Sequence, residues 1–167
     1  MPGSNPQGKA EILKFVIANK DIRTIVDFGA GAGTYGHLLK GTMNWLRMIA
    51  VEIWEPYIKK FNLSELYDEV ICADIRTANL PLADLAILGD IIEHFPKEEA
   101  KAVFRRIDEA YRHVVLSMPP VDALHGPECG NPHEAHRSLW TVAEIFDMVG
   151  EKYKIRIYEE PLVVCIK

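Results

Sequence analysis

Four short clusters in the 167-residue sequence place glycines, acids or histidines where they could do chemistry. The first is Asp27-Phe28-Gly29-Ala30-Gly31-Ala32-Gly33. Glycines after a short β-branched run let the backbone turn tightly and approach a ligand, and the amides at the start of the following helix can face it. Asp27, two residues before the first glycine, argues against a pyrophosphate, because like charges would meet; it suits a cationic ligand. The dinucleotide pattern G-x-G-x-x-G would also need a glycine where Thr34 stands. The second cluster is Glu52-Ile53, whose carboxylate could accept two hydrogen bonds from ribose hydroxyls. The third is Asp74-Ile75. The fourth is Gly89-Asp90-Ile91-Ile92-Glu93-His94; a separate later loop carries His136. A histidine titrates near neutrality and can serve as a general base toward a hydroxyl. Each cluster alone also has a plain reading: a glycine turn, a solvated strand-end acid, a turn aspartate, a helix-orienting Glu-His pair.

Taken in order, the clusters resemble the motifs of class I S-adenosylmethionine-dependent methyltransferases. Residues 27–33 fit the first motif, D/E-x-G-x-G-x-G, and Asp90 to His94 is similar to the D-x-x-E-H segment of small-molecule methyltransferases such as the ubiquinone-biosynthesis O-methyltransferase. The resemblance covers about residues 24–118. It implies that Asp27, Gly29, Ala30, Gly31, Gly33, Glu52, Ile53, Asp74, Ile75, Gly89 and Asp90 bind S-adenosylmethionine. Glu52 would take the ribose, Asp74 the adenine amino group, and the Ile75 amide the ring. Gly89 and Asp90 would border the methionine moiety and the reactive methyl. Glu93 and His94 would face the acceptor, and His94 and His136 are the candidate catalytic residues. S-adenosylhomocysteine would be the product. The expected reaction is methyl transfer to an O or N atom of a small-molecule or sugar-like acceptor. The alternatives are a cofactor-binding module acting through a partner subunit, or methylation of a macromolecule. A nicotinamide oxidoreductase is disfavoured by Asp27 and Thr34.

The stretch from Met118 to Leu139 lacks periodicity and is long for a connection inside one domain. Within it, His125, Cys129, His133 and His136 are potential metal ligands, but their spacing repeats no finger or ribbon, so no metal is assigned. Gly130 to Thr141 resembles a G-N-P-x-x-x-H-x-S-x-W-T stretch of some small bacterial methyltransferases. It implies a lid over the acceptor, with Arg137 as an anion contact and Trp140 as a pocket wall. Ser117-Met118-Pro119-Pro120 differs from the N/D/S-P-P-aromatic motif of amide and exocyclic-amine methyltransferases: it follows the fifth strand rather than the fourth, and Met118 intervenes.

These residues need a scaffold, and the hydrophobic pattern supplies one. Helical spacing over Lys9–Lys20, Tyr35–Lys40, Pro56–Phe61, Lys97–Tyr111 and Thr141–Met148 alternates with apolar runs over Thr24–Phe28, Arg47–Glu52, Glu69–Cys72, Asp84–Leu88 and His113–Ser117. Runs without polar alternation suit strands covered on both faces. Tyr153–Tyr158 and Leu162–Ile166 read as a hairpin at a sheet edge. The fold class is therefore α/β, a Rossmann-like, doubly wound, seven-stranded, mostly parallel sheet with an antiparallel C-terminal strand.

Composition narrows the rest. The length predicts a single domain over residues 1–167. Three separated cysteines exclude a disulfide framework and point to a reducing, cytoplasmic setting. The charge of −5 argues against a nucleic-acid partner. No membrane span or leader is expected. The partner is a small-molecule acceptor, and the chain is expected to be a monomer or homodimer.

Overall fold

In the computed structural model, residues 6–120, 126–127, 130–158 and 162–167 are described. Seven strands form one sheet: β1 (Thr24–Phe28), β2 (Arg47–Glu52), β3 (Glu69–Cys72), β4 (Leu85–Gly89), β5 (His113–Met118), β6 (Lys154–Tyr158) and β7 (Leu162–Ile166). Their order is β3-β2-β1-β4-β5-β7-β6. The first five are parallel, and β7 runs antiparallel to both β5 and β6. The expected topology is thus the observed one. The connection at residues 159–161 lies outside the described residues.

Alternate residues of each central strand feed opposite cores, as the two-residue strand period requires. On one face Val26, Phe28, Ile49, Ala86, Leu88, Val114 and Leu116 pack against α5 (Lys97–Ala110) and α6 (Val142–Val149). On the other, Ile25, Met48, Ala50, Leu85, Ile87 and Val115 pack against α1 (Lys9–Ala18) and α2 (Thr34–Lys40). Leu63 of the short α4 (Leu63–Leu66), which follows α3 (Glu55–Lys60), joins the second core.

Local chemistry sets the element ends. Thr141 and Glu144 form a capping box that starts α6. The Asp84 carboxylate accepts from the amides of Arg23 and Thr24, so β4 begins one residue later than the apolar run suggests. α1 stops at Ala18, short of Lys20, where Asn19 turns extended and its side chain donates to the Phe15 carbonyl. α4 and two 3-10 turns, Ile92–His94 and Pro132–Glu134, carry too few residues to leave a periodic trace in the sequence. Among the described residues, no helix is long and apolar enough to cross a membrane.

Candidate active site

The carboxyl ends of β1 to β5 lie along one edge of the sheet, and the strand order reverses between β1 and β4. Ligands of open parallel sheets bind at such a reversal. There the structure has a cavity of about 430 Å³. Of the residues expected from the sequence, Gly29, Ala30, Gly31, Glu52, Ile53, Asp74, Ile75, Gly89, Asp90, His94 and His136 line it. Asp27 and Gly33 are not among its lining residues.

The wall from β1 to β3 is built by backbone geometry. Gly29 has φ +70°, a left-handed conformation that favours glycine, and a Cβ there would also push on Ile91 Cδ1 at 2.6 Å. The Gly31 amide donates to Glu52 Oε2 at 2.9 Å and the Trp54 amide to Oε1 at 2.7 Å. These bonds fix the carboxylate at the cavity wall. Burial raises its pKa, while the two amides oppose the rise. Asp74 is clamped by the Arg76 guanidinium and amide, which hold its carboxyl below the usual range. Arg76 also reaches Glu99.

Asp27 sits beneath the glycine turn rather than in the cavity. It accepts a 2.5 Å bond from the Tyr67 hydroxyl, and burial pushes its pKa up to about 7. Gly33 caps α2 and packs on Leu66 and Leu63.

The wall from β4 and β5 is more strained. Asp90 adopts φ +53°, an uncommon conformation for a residue with a side chain. Its amide donates to the Ser117 carbonyl, and Ser117 Oγ donates to its carboxylate. A Cβ at Gly89 would fall 2.2 Å from the Tyr35 ring, so this glycine makes way for the aromatic side chain behind it.

The acceptor-facing end is assembled from two distant segments. The backbone carbonyl of Glu93 accepts from the amides of Arg137 and Ser138 at 2.9 and 3.2 Å. His94 Nδ1 donates to the Ala135 carbonyl at 3.2 Å, since a carbonyl can only accept. The segment after β5 is thereby laid across the 3-10 turn after β4. The rings of His94 and His136 come within 5.1 Å, and ligating atoms of Glu93, His94 and His136 all lie within 4.8 Å of one another. The Glu93 side chain is 1% exposed, and its Oε2 has no hydrogen-bond partner among the described residues. Burial, then the neighbouring Asp90 charge, raises its pKa well above the usual range.

Trp140, expected as a pocket wall, instead lies in the core with its indole N–H on Ser138 Oγ at 2.7 Å. Its large apolar ring is covered by the helices on that face. Arg137 does line the cavity, as do Asn131, His133 and Glu134 of the same expected lid. His133 packs on Trp54 beside Glu52. His125 and Cys129, the remaining members of the loop considered for metal, lie outside the described residues.

No protein-family model matches the chain, and no curated protein matches it significantly. Solved structures do share its fold. The complex of DhpI with SAM and HEP superposes with a TM-score of 0.71 at 13% identity, covering 94% of this chain and 84% of that one. The N-terminal domain of EvdMO1, solved in the presence of SAH and D-fucose, gives 0.66 at 17%, covering 98% and 83%. The mitomycin 7-O-methyltransferase MmcR gives 0.63 at 16%, covering 90% and 51%. The fold is that of class I S-adenosylmethionine-dependent methyltransferases.

Proposed function

We propose that the chain is an S-adenosylmethionine-dependent methyltransferase acting on an oxygen of a small, sugar-like acceptor. The observation that carries this reading is that one cavity is lined both by the glycine turn with Glu52 and by the Glu93, His94 and His136 group. The residues present fit the cofactor. Two positions where a Cβ would collide keep the backbone close, and a buried carboxylate is pre-set by two amides. Even with Glu93 set aside as a neutral acid, acids outnumber the lining cations: Glu52, Asp74, Asp90 and Glu134 against Arg76 and Arg137. Such a surface suits a ligand bearing an ammonium and a sulfonium.

When bound, S-adenosylmethionine supplies a methyl group activated by the sulfonium. The chain's own work is then placement and proton handling. Glu52 takes the ribose hydroxyls, the Asp74 carboxylate and the Ile75 amide take the adenine edge, and Gly89 with Asp90 borders the methionine end. An oxygen acceptor must shed its proton, and His94 and His136 stand where it is shed. The sugar-like acceptor draws support from the structure of EvdMO1 with D-fucose, and the oxygen from MmcR, an O-methyltransferase by name.

Calorimetric titration with S-adenosylmethionine, S-adenosylhomocysteine and NAD(P) tests the reading. The first two should bind and NAD(P) should not; binding of NAD(P) alone overturns it. Glu52→Ala should weaken S-adenosylhomocysteine at least about tenfold, since it removes a charged acceptor of two hydroxyl bonds. Transfer of labelled methyl by the isolated protein to members of a panel of hydroxylated sugars then tests the acceptor class and excludes dependence on a partner subunit.

A further inference from the structure

We propose that Glu93, His94 and His136 bind one divalent first-row transition-metal ion on the acceptor side of the cavity, with coordination positions left open for substrate hydroxyls. The donor set comes first. One carboxylate and two imidazoles lie within 4.8 Å of one another. Donors bound to one such ion sit about 2.0–2.2 Å from it, so modest side-chain adjustment closes the set around a cation. Three protein ligands with open positions are the pattern of catalytic rather than structural metal sites. Imidazole nitrogen also favours zinc, copper, iron or nickel over magnesium.

The surroundings point the same way. The bond from His94 Nδ1 to the Ala135 carbonyl fixes the tautomer, so the neutral ring carries its lone pair on Nε2. A carbonyl oriented on the far nitrogen in this way is the usual support of a metal-bound histidine. The Glu93 carboxyl is all but sealed from solvent, and one of its oxygens meets no hydrogen-bond donor among the described residues. A carboxylate in that state is costly unless a cation meets it. Asp90 adds negative charge beside it, as does Glu134, whereas Arg137 opposes them. A general base needs only one imidazole. A cation gives all three side chains a purpose, and the bonds from the amides of Arg137 and Ser138 to the Glu93 carbonyl are what bring position 136 to positions 93 and 94.

What fills the open positions rests on the methyl-transfer reading; the metal site itself does not. A hydroxyl on such an ion is acidified as bound water is. Its O–H bond breaks and the proton passes to solvent. The oxygen pair forms the O–CH3 bond, the CH3–S bond breaks, and its electron pair returns to sulfur to give S-adenosylhomocysteine. Expansion to five coordinates gives two open positions, which favour an acceptor with neighbouring hydroxyls, or a hydroxyl beside a carbonyl.

The test uses the full chain stripped of metal with a chelator and titrated with Co(II), followed by visible absorption and calorimetry. One equivalent should bind, with d–d bands of a mixed nitrogen and oxygen site. Glu93→Gln, His94→Ala and His136→Ala should each weaken cobalt at least tenfold while S-adenosylhomocysteine still binds, which also shows that the variants fold. Glu52→Ala should do the reverse, losing S-adenosylhomocysteine and keeping cobalt. Absence of cobalt binding by the wild type overturns the metal site. Cobalt binding of equal strength in all three variants overturns it too, by placing the ion elsewhere. Cobalt bound at the three residues in a chain that never binds S-adenosylhomocysteine upholds the metal site and overturns the methyl-transfer reading instead.

Discussion

Asp27 belongs to the glycine motif by sequence, yet its carboxyl answers to Tyr67, far along the chain. Strand parity explains the difference. Along β1, Ile25 and Asp27 share a face, and Ile25 packs in the core that holds Tyr35 and Tyr67, whereas Val26 and Phe28 enter the other. The identity of the acid was legible in the sequence, and its orientation could have been read from the same two-residue period. Burial raises its pKa to about 7 against the opposing bond from Tyr67. A carboxyl whose pKa is raised on folding adds stability below its unfolded value and loses it as pH climbs through the folded one. The wild type should therefore lose stability relative to Asp27→Asn between pH about 4 and about 7, approaching about 1.4 kcal/mol per pH unit. Asparagine keeps an acceptor for the Tyr67 hydroxyl, so the comparison isolates the charge. Urea unfolding of both proteins across that window measures it; a constant difference would show that Asp27 is not held protonated.

At the scale of elements, the sequence was informative wherever a run was long, apolar and bounded. β1, β2, β4 and β5 are buried on both faces, so their residue types alone mark them. The acceptor end was not legible in this way. The path of residues 131–140 is set by long-range bonds to the Glu93 carbonyl, from the Arg137 and Ser138 amides. Such bonds leave no periodicity, which is why the loop looked structureless and why His94, His136 and the buried Glu93 could be named individually but not joined. Ser138 secures the far end of this strap, accepting from the Trp140 indole, itself 2% exposed. Ser138→Ala leaves that buried donor without its acceptor, at a cost of about 1–3 kcal/mol. Adding Trp140→Phe removes the orphaned donor, so the double variant should cost less than the sum of the singles. Denaturant unfolding of the four proteins measures the coupling, and strict additivity would exclude a working Ser138–Trp140 bond.

At the scale of the whole molecule, the N-terminal helix ties the C-terminal hairpin to the site. Glu11 accepts from Arg156 Nε at 3.1 Å and from the Tyr158 hydroxyl at 3.0 Å, and Gly8 packs so closely on β7 that a Cβ would lie 2.6 Å from Val164. One residue from Gly8, Lys9 turns inward and donates to the Tyr35 hydroxyl at 2.8 Å. Since Ser117 Oγ donates to Asp90, a continuous donor order follows: Lys9 to Tyr35, Tyr35 to Ser117, Ser117 to Asp90. A line of polar contacts thus runs from α1 through the sheet to the strained residue at the cavity. Burial lowers the Lys9 pKa to about 8, with Asp90 and then Asp27 resisting the fall. The sign is opposite to that of Asp27. Between pH about 8 and the ordinary lysine value of about 10.4, the unfolded chain binds the proton more readily than the folded one, so stability from this group rises with pH. Lys9→Met keeps most of the apolar volume and abolishes the titration. The wild type should gain on it by up to about 1.4 kcal/mol per pH unit across that window, read by urea unfolding at pH about 8 and about 10. A difference that stays flat with pH would mean that the Lys9 amine stays solvated, and the relay from α1 to Asp90 would then lose its first member.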